Sequence, residues 1–280
     1  MTSAPDFMLI GAEKAGTTWL YRNLKPHPEL WLPPEKELHF FDDKPRDQWR
    51  REKVLAQAQA RGAPEKQLDW FRQFAAVDTS DLEAYKALFE PHAGQKAGEM
   101  TTEYAVLEEH IVAKIARAFP DLRIIFAMRD PISRLWSAYK MHMRQDEDTV
   151  PYSRDRYAKY LGRLPPQLRT DYRRTLSIWR KWFGRAAVLP IFFDDIETRP
   201  DHVVAQVLEH IGVKDTTPPN PEALERKVFA GDSAPIPKEF AAMAAERYLP
   251  MLLMMSREMG GPTDAWFLHA QQAFRDGHSA

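Results

Sequence analysis

Apolar residues gather along this chain in short unbroken runs, separated by longer polar and mixed stretches. Phe7-Met8-Leu9-Ile10, Arg123–Met128 and Ala187–Phe193 are the clearest runs. Strands without a polar face suit a parallel sheet, which is covered on both sides. The stretches that follow them read as helices. Thr17 onward is helical until Pro26 and Pro28 stop it. Asp130-Pro131 offers an N-cap and a proline at the first helical position, for a helix running to about Arg144. Another helix is expected near Asp201–Ile211, and the tail from Pro235 reads as helical to about Met259. The alternation predicts an α/β chain, a three-layer αβα arrangement around a central parallel sheet. One domain over residues 1–280 is expected, with insertions near 42–90 and 145–174. The first insertion has helical character in its second half.

Composition narrows the function. The 280 residues carry 39 Lys plus Arg against 40 Asp plus Glu, a net charge of −1, without the basic excess of a nucleic-acid binder. Cysteine is absent, which excludes disulfides, thiol catalysis and Cys-ligated zinc. No apolar run approaches the roughly 20 residues of a membrane-spanning helix. Phe7–Ile10 is too short for the core of a signal peptide. A cytoplasmic protein without a membrane span is expected.

The first chemical signal is Gly11-Ala12-Glu13-Lys14-Ala15-Gly16-Thr17-Thr18-Trp19, between a strand and a helix. There, backbone N–H groups and the helix dipole hold anions. Gly11 and Gly16 keep the spacing of the nucleoside-triphosphate loop G-x-x-x-x-G-K-[ST], but Thr17 stands where the lysine belongs and Lys14 lies inside the loop. Moving the lysine argues against ATP or GTP and for a shorter 5′ anion. A second signal is Arg129, at the carboxyl end of a strand, with Ser137 eight residues on: a guanidinium fork and a hydroxyl that suit a phosphate.

Lys14-Ala15-Gly16-Thr17-Thr18-Trp19 resembles the K-x-G-T-T-W loop of the cytosolic sulfotransferases. The resemblance implies a P-loop nucleotide-hydrolase-like fold and 3′-phosphoadenosine 5′-phosphosulfate (PAPS) as co-substrate, with the bisphosphate PAP as product. It assigns Lys14 to the bridging oxygen between phosphate and sulfate. Gly16, Thr17, Thr18 and the loop amides go to the 5′-phosphate, Trp19 to the adenine, and Arg129 with Ser137 to the 3′-phosphate. Arg226-Lys227-Val228-Phe229-Ala230-Gly231-Asp232 resembles the family's R-K-G-x-x-G-D closing segment, with Val228 in place of a glycine.

A second resemblance, to the heparan-sulfate O- and N-sulfotransferases, rests on Lys36-Glu37-Leu38-His39-Phe40-Phe41-Asp42, their K-E-x-x-F-F segment. Asp69–Phe74, Gly98–Tyr104, Arg247–Pro250 and Trp266 extend it, and Met100 departs from it by replacing a lysine. It implies Glu37 as general base, with Lys36 assisting on the transferring group and His39 as a further catalytic candidate. No counterpart of the cytosolic enzymes' catalytic histidine is seen. The expected reaction is metal-independent transfer of a sulfuryl group to a hydroxyl or amine of a carbohydrate or small molecule. Alternatives are a P-loop kinase-like phosphotransferase, since Val188–Asp194 imitates a Walker B strand, and an inactive nucleotide-binding protein. Asp194 and Asp195 read as a helix-capping turn. His39, Asp42 and Asp43 are a possible ion site, and the basic, tyrosine-bearing stretch Arg154–Arg174 a possible wall for an anionic acceptor.

Overall fold

The computed structural model describes residues 5–42, 45–145, 152–224 and 234–278. The chain opens with β1 (Phe7–Gly11), α1 (Thr17–Leu24) and the two-residue β2 (Leu30–Trp31). Helices α2 (Pro45–Ala60), α3 (Glu65–Ala75) and α4 (Leu82–Ala87) lead to β3 (Lys96–Met100). A 3₁₀ turn (Thr102–Val106), α5 (Glu109–Ala118), β4 (Arg123–Met128) and α6 (Pro131–Gln145) follow. Next come α7 (Arg154–Leu161), α8 (Leu164–Thr170), α9 (Tyr172–Phe183), β5 (Val188–Phe192), α10 (Phe193–Thr198) and α11 (Pro200–Ile211). The short α12 (Pro221–Leu224) and the paired helices α13 (Lys238–Met259) and α14 (Pro262–His278) complete it.

The five strands form one parallel sheet in the order β2-β3-β1-β4-β5. Every residue of β1 is buried, and so is all of β4 after Arg123, so helices cover both faces. Helix α1 packs on α11 and α5 on α9. The α/β architecture with a parallel sheet is as the apolar runs predict. Two strands have no such run. β2 is too short to show one, and β3 reads Lys-Ala-Gly-Glu-Met. Gly98 of β3 pairs with Phe7, and a Cβ at Gly98 would fall inside the Phe7 ring, so the missing side chain is supplied by the neighbouring strand. Pro190 interrupts β5, which tolerates a missing N–H because it is the edge strand.

Other expectations need correction. The first insertion is helical from Pro45, not only in its second half; α2 is largely polar, so its periodicity is faint. Asp194 and Asp195 do not cap: β5 ends at Phe192 and α10 starts at once, with both acids in its first turn, where the helix dipole favours them. Asp194 accepts the indole N–H of Trp266 at 3.1 Å. Beyond Met259, Gly260 and Gly261 turn the chain at positive φ (64° and 60°) into α14, which the sequence reading did not separate.

Helix α14 also reaches the end of β4. Asp130 caps α6 by accepting the N–H of Ser133 at 2.7 Å, and its other oxygen lies 2.9 Å from His269 Nδ1. The hydrogen bond that its ring donates to Asp130 holds the His269 pKa above its ordinary value, although burial works against it. A raised folded-state pKa means that this contribution to stability is present below about pH 6.5 and is lost as pH rises through the raised value. Thermal unfolding from about pH 6 to about pH 8 is therefore expected to show the unmodified chain losing its advantage over His269→Gln. Parallel curves would remove the contact from the stability of this corner.

Candidate functional site

The loop between β1 and α1 is built for an anion. Gly16, at φ 85°, serves as the N-cap of α1 and leaves its first-turn amides without a side-chain acceptor. A Cβ there would lie 2.8 Å from Ile196 Cδ1 and 3.1 Å from Phe193 Cδ2, so the loop is seated directly on α10. Lys14 occupies the left-handed region (φ 69°), uncommon for a residue with a side chain and a mark of constrained functional backbone. Its ammonium rests 3.9 Å from Met141 Sδ, a soft thioether rather than a carboxylate. Burial lowers its pKa; Arg144, Arg129 and Lys140 push the same way and Glu13 opposes them. Thr17 is buried and Thr18 half-buried at the head of α1.

Arg129 closes the other side of this cradle. Its guanidinium stacks over the Phe193 ring at 4.2 Å, and Nη1 donates to the Lys14 carbonyl at 3.3 Å. The Tyr172 hydroxyl donates to its carbonyl at 2.8 Å. Asp130, the obvious acidic neighbour, is taken by the α6 cap and His269. Burial lowers the Arg129 pKa, with Glu197 the largest opposing charge. Ser137 is half-buried on α6. At helical spacing it shares a face with Lys140, Met141 and Arg144, and the Met141 contact turns that face toward Lys14. Lys140 and Arg144 were not singled out from the sequence; their positions three and seven residues beyond Ser137 are the signal that would have found them.

The segment carrying Glu37 lies across the end of β3. Glu37 and His39 are both left-handed (φ 67° and 53°). The Glu37 carboxylate accepts from the Thr102 N–H at 2.7 Å and from the Thr102 hydroxyl at 3.1 and 3.2 Å. Lys36 forms an ion pair with it. Thr102 ties this carboxylate to the loop strand: a Cβ on Gly11 would sit 3.1 Å from the Thr102 carbonyl. Beneath the segment is Glu99, fully buried on β3, accepting from Tyr85, Tyr104 and Thr101. Burial pushes its pKa up to about 7, against the three hydroxyls that hold it down. Glu99 was read only as part of a motif, because a carboxylate gives no sign of burial in a single sequence.

Other expected residues fall elsewhere. Trp19 is 7% exposed, and its indole N–H donates to the Leu224 carbonyl at 3.1 Å, tying α1 to α12. Arg226, Lys227 and Val228 lie outside the described residues. His39 Nδ1 stands 2.8 Å from Asp42 Oδ2, and Asp47 brings a third ligand atom, all within 4.8 Å. This donor set has the chemistry to hold a cation; Asp43 is outside the described residues. From the basic stretch, Arg169 reaches the loop, pairing with Glu103 and lying 3.8 Å from Glu13. Arg173 and Arg174 pair with Glu258 and Glu108, and Tyr157, Tyr160 and Tyr172 are core anchors. A cavity of about 500 Å³ between α9 and α13, lined by Arg173, Arg174, Arg180 and Glu258 among others, includes none of the loop residues. Among the described residues no helix is long and apolar enough to cross a membrane.

Known proteins share this chain's fold and family features. The chain is 26% identical over 225 residues to the mouse bifunctional heparan sulfate N-deacetylase/N-sulfotransferase 4, covering 75% of this chain and 22% of that protein. The human N-deacetylase/N-sulfotransferase 3 is 27% identical over the same extent. The chain thus spans about a fifth of the length of the curated relatives it matches. Among solved structures, a sulfotransferase from Alicyclobacillus acidocaldarius superposes with a TM-score of 0.67 at 22% identity, over 94% of this chain and 99% of that one. The sulfotransferase domain of the Synechococcus PCC 7002 olefin synthase superposes at 0.50 with 16% identity, over 87% and 94% of the two chains. These likenesses establish the P-loop-like fold. Residues 5–218 match the model of the sulfotransferase family, and the chain belongs to that family.

Proposed function

We propose that this sulfotransferase moves the sulfuryl group of PAPS to a hydroxyl or amine of a carbohydrate or small-molecule acceptor, with Glu37 as general base. The observation that carries this reading is the desolvated Lys14, whose ammonium rests on the Met141 thioether with Arg129, Lys140 and Arg144 acting on it as like charges. Like charges are gathered at a cost in free energy that a polyanionic donor offsets. Uncapped amides at the head of α1 fit the same donor.

In the proposed mechanism the loop amides with Thr17 and Thr18 hold the 5′-phosphate, and Arg129 with Ser137 grips the 3′-phosphate. Lys14 neutralises the charge that builds on the departing phosphate oxygen. The acceptor oxygen or nitrogen forms its bond to sulfur as the sulfur–oxygen bond to that phosphate breaks, and Glu37 takes the acceptor's proton. The products are the sulfated acceptor and PAP. Such transfers need little covalent help from the protein, so positioning and charge stabilisation dominate. Thr102 supports the role of Glu37 by holding its carboxylate with two donors. Lys36 steadies that carboxylate through their ion pair. His39, its Nδ1 engaged by Asp42, is a second group available to the acceptor side. Heparan sulfate, named for the activity of the mouse relative, supports a carbohydrate acceptor.

Isothermal titration is expected to find tight binding of adenosine 3′,5′-bisphosphate and none of ATP; the reverse preference would favour a kinase-like enzyme. Glu37→Gln should lower turnover by about 10²–10⁴-fold with bisphosphate affinity retained, and near-normal turnover would free Glu37 of the role. Arg129→Ala should weaken bisphosphate binding by roughly ten- to a hundredfold while sparing adenosine 5′-phosphosulfate. Equal losses for both ligands would refute the assignment to the 3′-phosphate.

A further inference from the structure

Glu99 is fully buried, and a buried carboxylate persists only where its oxygens are satisfied. Three hydroxyls satisfy it: Tyr85 from α4 and Tyr104 from the 3₁₀ turn on Oε1, and Thr101 on Oε2 at 2.7 Å. A hydroxyl has one hydrogen and two lone pairs. Because the carboxylate takes the hydrogens of Thr101 and Tyr104, their lone pairs are left to accept. Thr101 Oγ1 accepts the Leu38 N–H at 2.9 Å, and the Tyr104 hydroxyl accepts the Phe40 N–H at 3.1 Å. These two amides directly follow Glu37 and His39, the two residues held at positive φ. Left-handed backbone costs about 1–2 kcal/mol for a residue with a Cβ, so each kink needs a partner to hold it. Both partners trace to one carboxylate.

We infer that Glu99 is a positioning residue for sulfuryl transfer: through Thr101 and Tyr104 it orients the hydroxyls that hold the Leu38 and Phe40 amides, and so aims Glu37 and His39. This inference rests on the proposed role of Glu37. It differs from a simple packing role because it depends on hydroxyl direction, which an apolar isostere removes and serine preserves.

The test uses Thr101→Val, Thr101→Ser and Glu99→Gln in the full chain. Amide hydrogen exchange is read at Leu38 and Phe40, and bisphosphate affinity by titration. Transfer from labelled PAPS is measured with chemically N-desulfated heparan sulfate as the probe acceptor. Thr101→Val should speed exchange at Leu38 by about tenfold or more and lower kcat by about ten- to a hundredfold at unchanged bisphosphate affinity. Thr101→Ser should restore both. Glu99→Gln should loosen both amides; if it does not fold, the Thr101 pair decides. On a Glu37→Gln background Thr101→Val should cost no further rate, since both changes act on one group. Unchanged exchange at Leu38, failure of serine to rescue, or additive losses would overturn the inference. Should Glu37→Gln itself keep its turnover, the base assignment falls; should it fail while Thr101→Val works normally, only the role of Glu99 falls.

Discussion

Like charges do not assemble at the mouth of a parallel sheet without something to hold them there. Lys14, Arg129 and Lys140 do so here in partial burial, with Arg144 exposed beside them, and among the described residues Glu13 is the opposing charge that acts on Lys14. The backbone makes this possible. β1 and β4 are neighbours, so their carboxyl ends deliver Lys14 and Arg129 to one place, where the Lys14 carbonyl accepts from the guanidinium. Phe193 supplies a flat apolar face for that guanidinium and a seat for Gly16. Tyr172 fixes the Arg129 carbonyl from α9, and the hydrogen bonds of Asp130 go to the α6 cap and His269.

The acidic side of the site follows the opposite logic. Glu37 is surrounded by donors: the Thr102 amide and hydroxyl, and the Lys36 ammonium. Glu99, one layer deeper, faces hydroxyls with no cation among them, and burial drives its pKa toward neutrality. Two carboxylates at the end of β3 therefore live in different electrostatic worlds, one solvated by dipoles and a paired charge, the other by neutral hydroxyls. The Arg169 bridge between Glu103 and Glu13 connects the two halves, since Glu103 leaves β3 and Glu13 precedes Lys14.

Much of this was legible without coordinates. Unbroken apolar runs at β1 and β4 carry their own strand signal because both faces of those strands are buried, the edge strand β5 keeps such a run although it is only partly buried, and the glycine spacing of the loop with Lys14 inside it carries the anion signal. The Asp130-Pro131 cap is equally local: its partner, Ser133, is three residues away. What escaped is what depends on contact between distant segments. β3 has no run of its own because Phe7 fills the space above Gly98. Lys140 and Arg144 look like an ordinary polar helix face until Met141 meets Lys14. Trp19 has a stacking residue's chemistry, and the bond from its N–H to α12 is a tie between distant segments that the sequence does not show. The sequence by itself determined the elements, their parallel arrangement and the chemical character of the phosphate loop, because short-range sterics and burial periodicity write those into neighbouring residues. Only the tertiary structure decided which of 40 acids is buried as Glu99, which donors hold Glu37, and which acids are spent as caps. A carboxylate's role is set by the donors and the water around it, and those come from strands and helices far away along the chain.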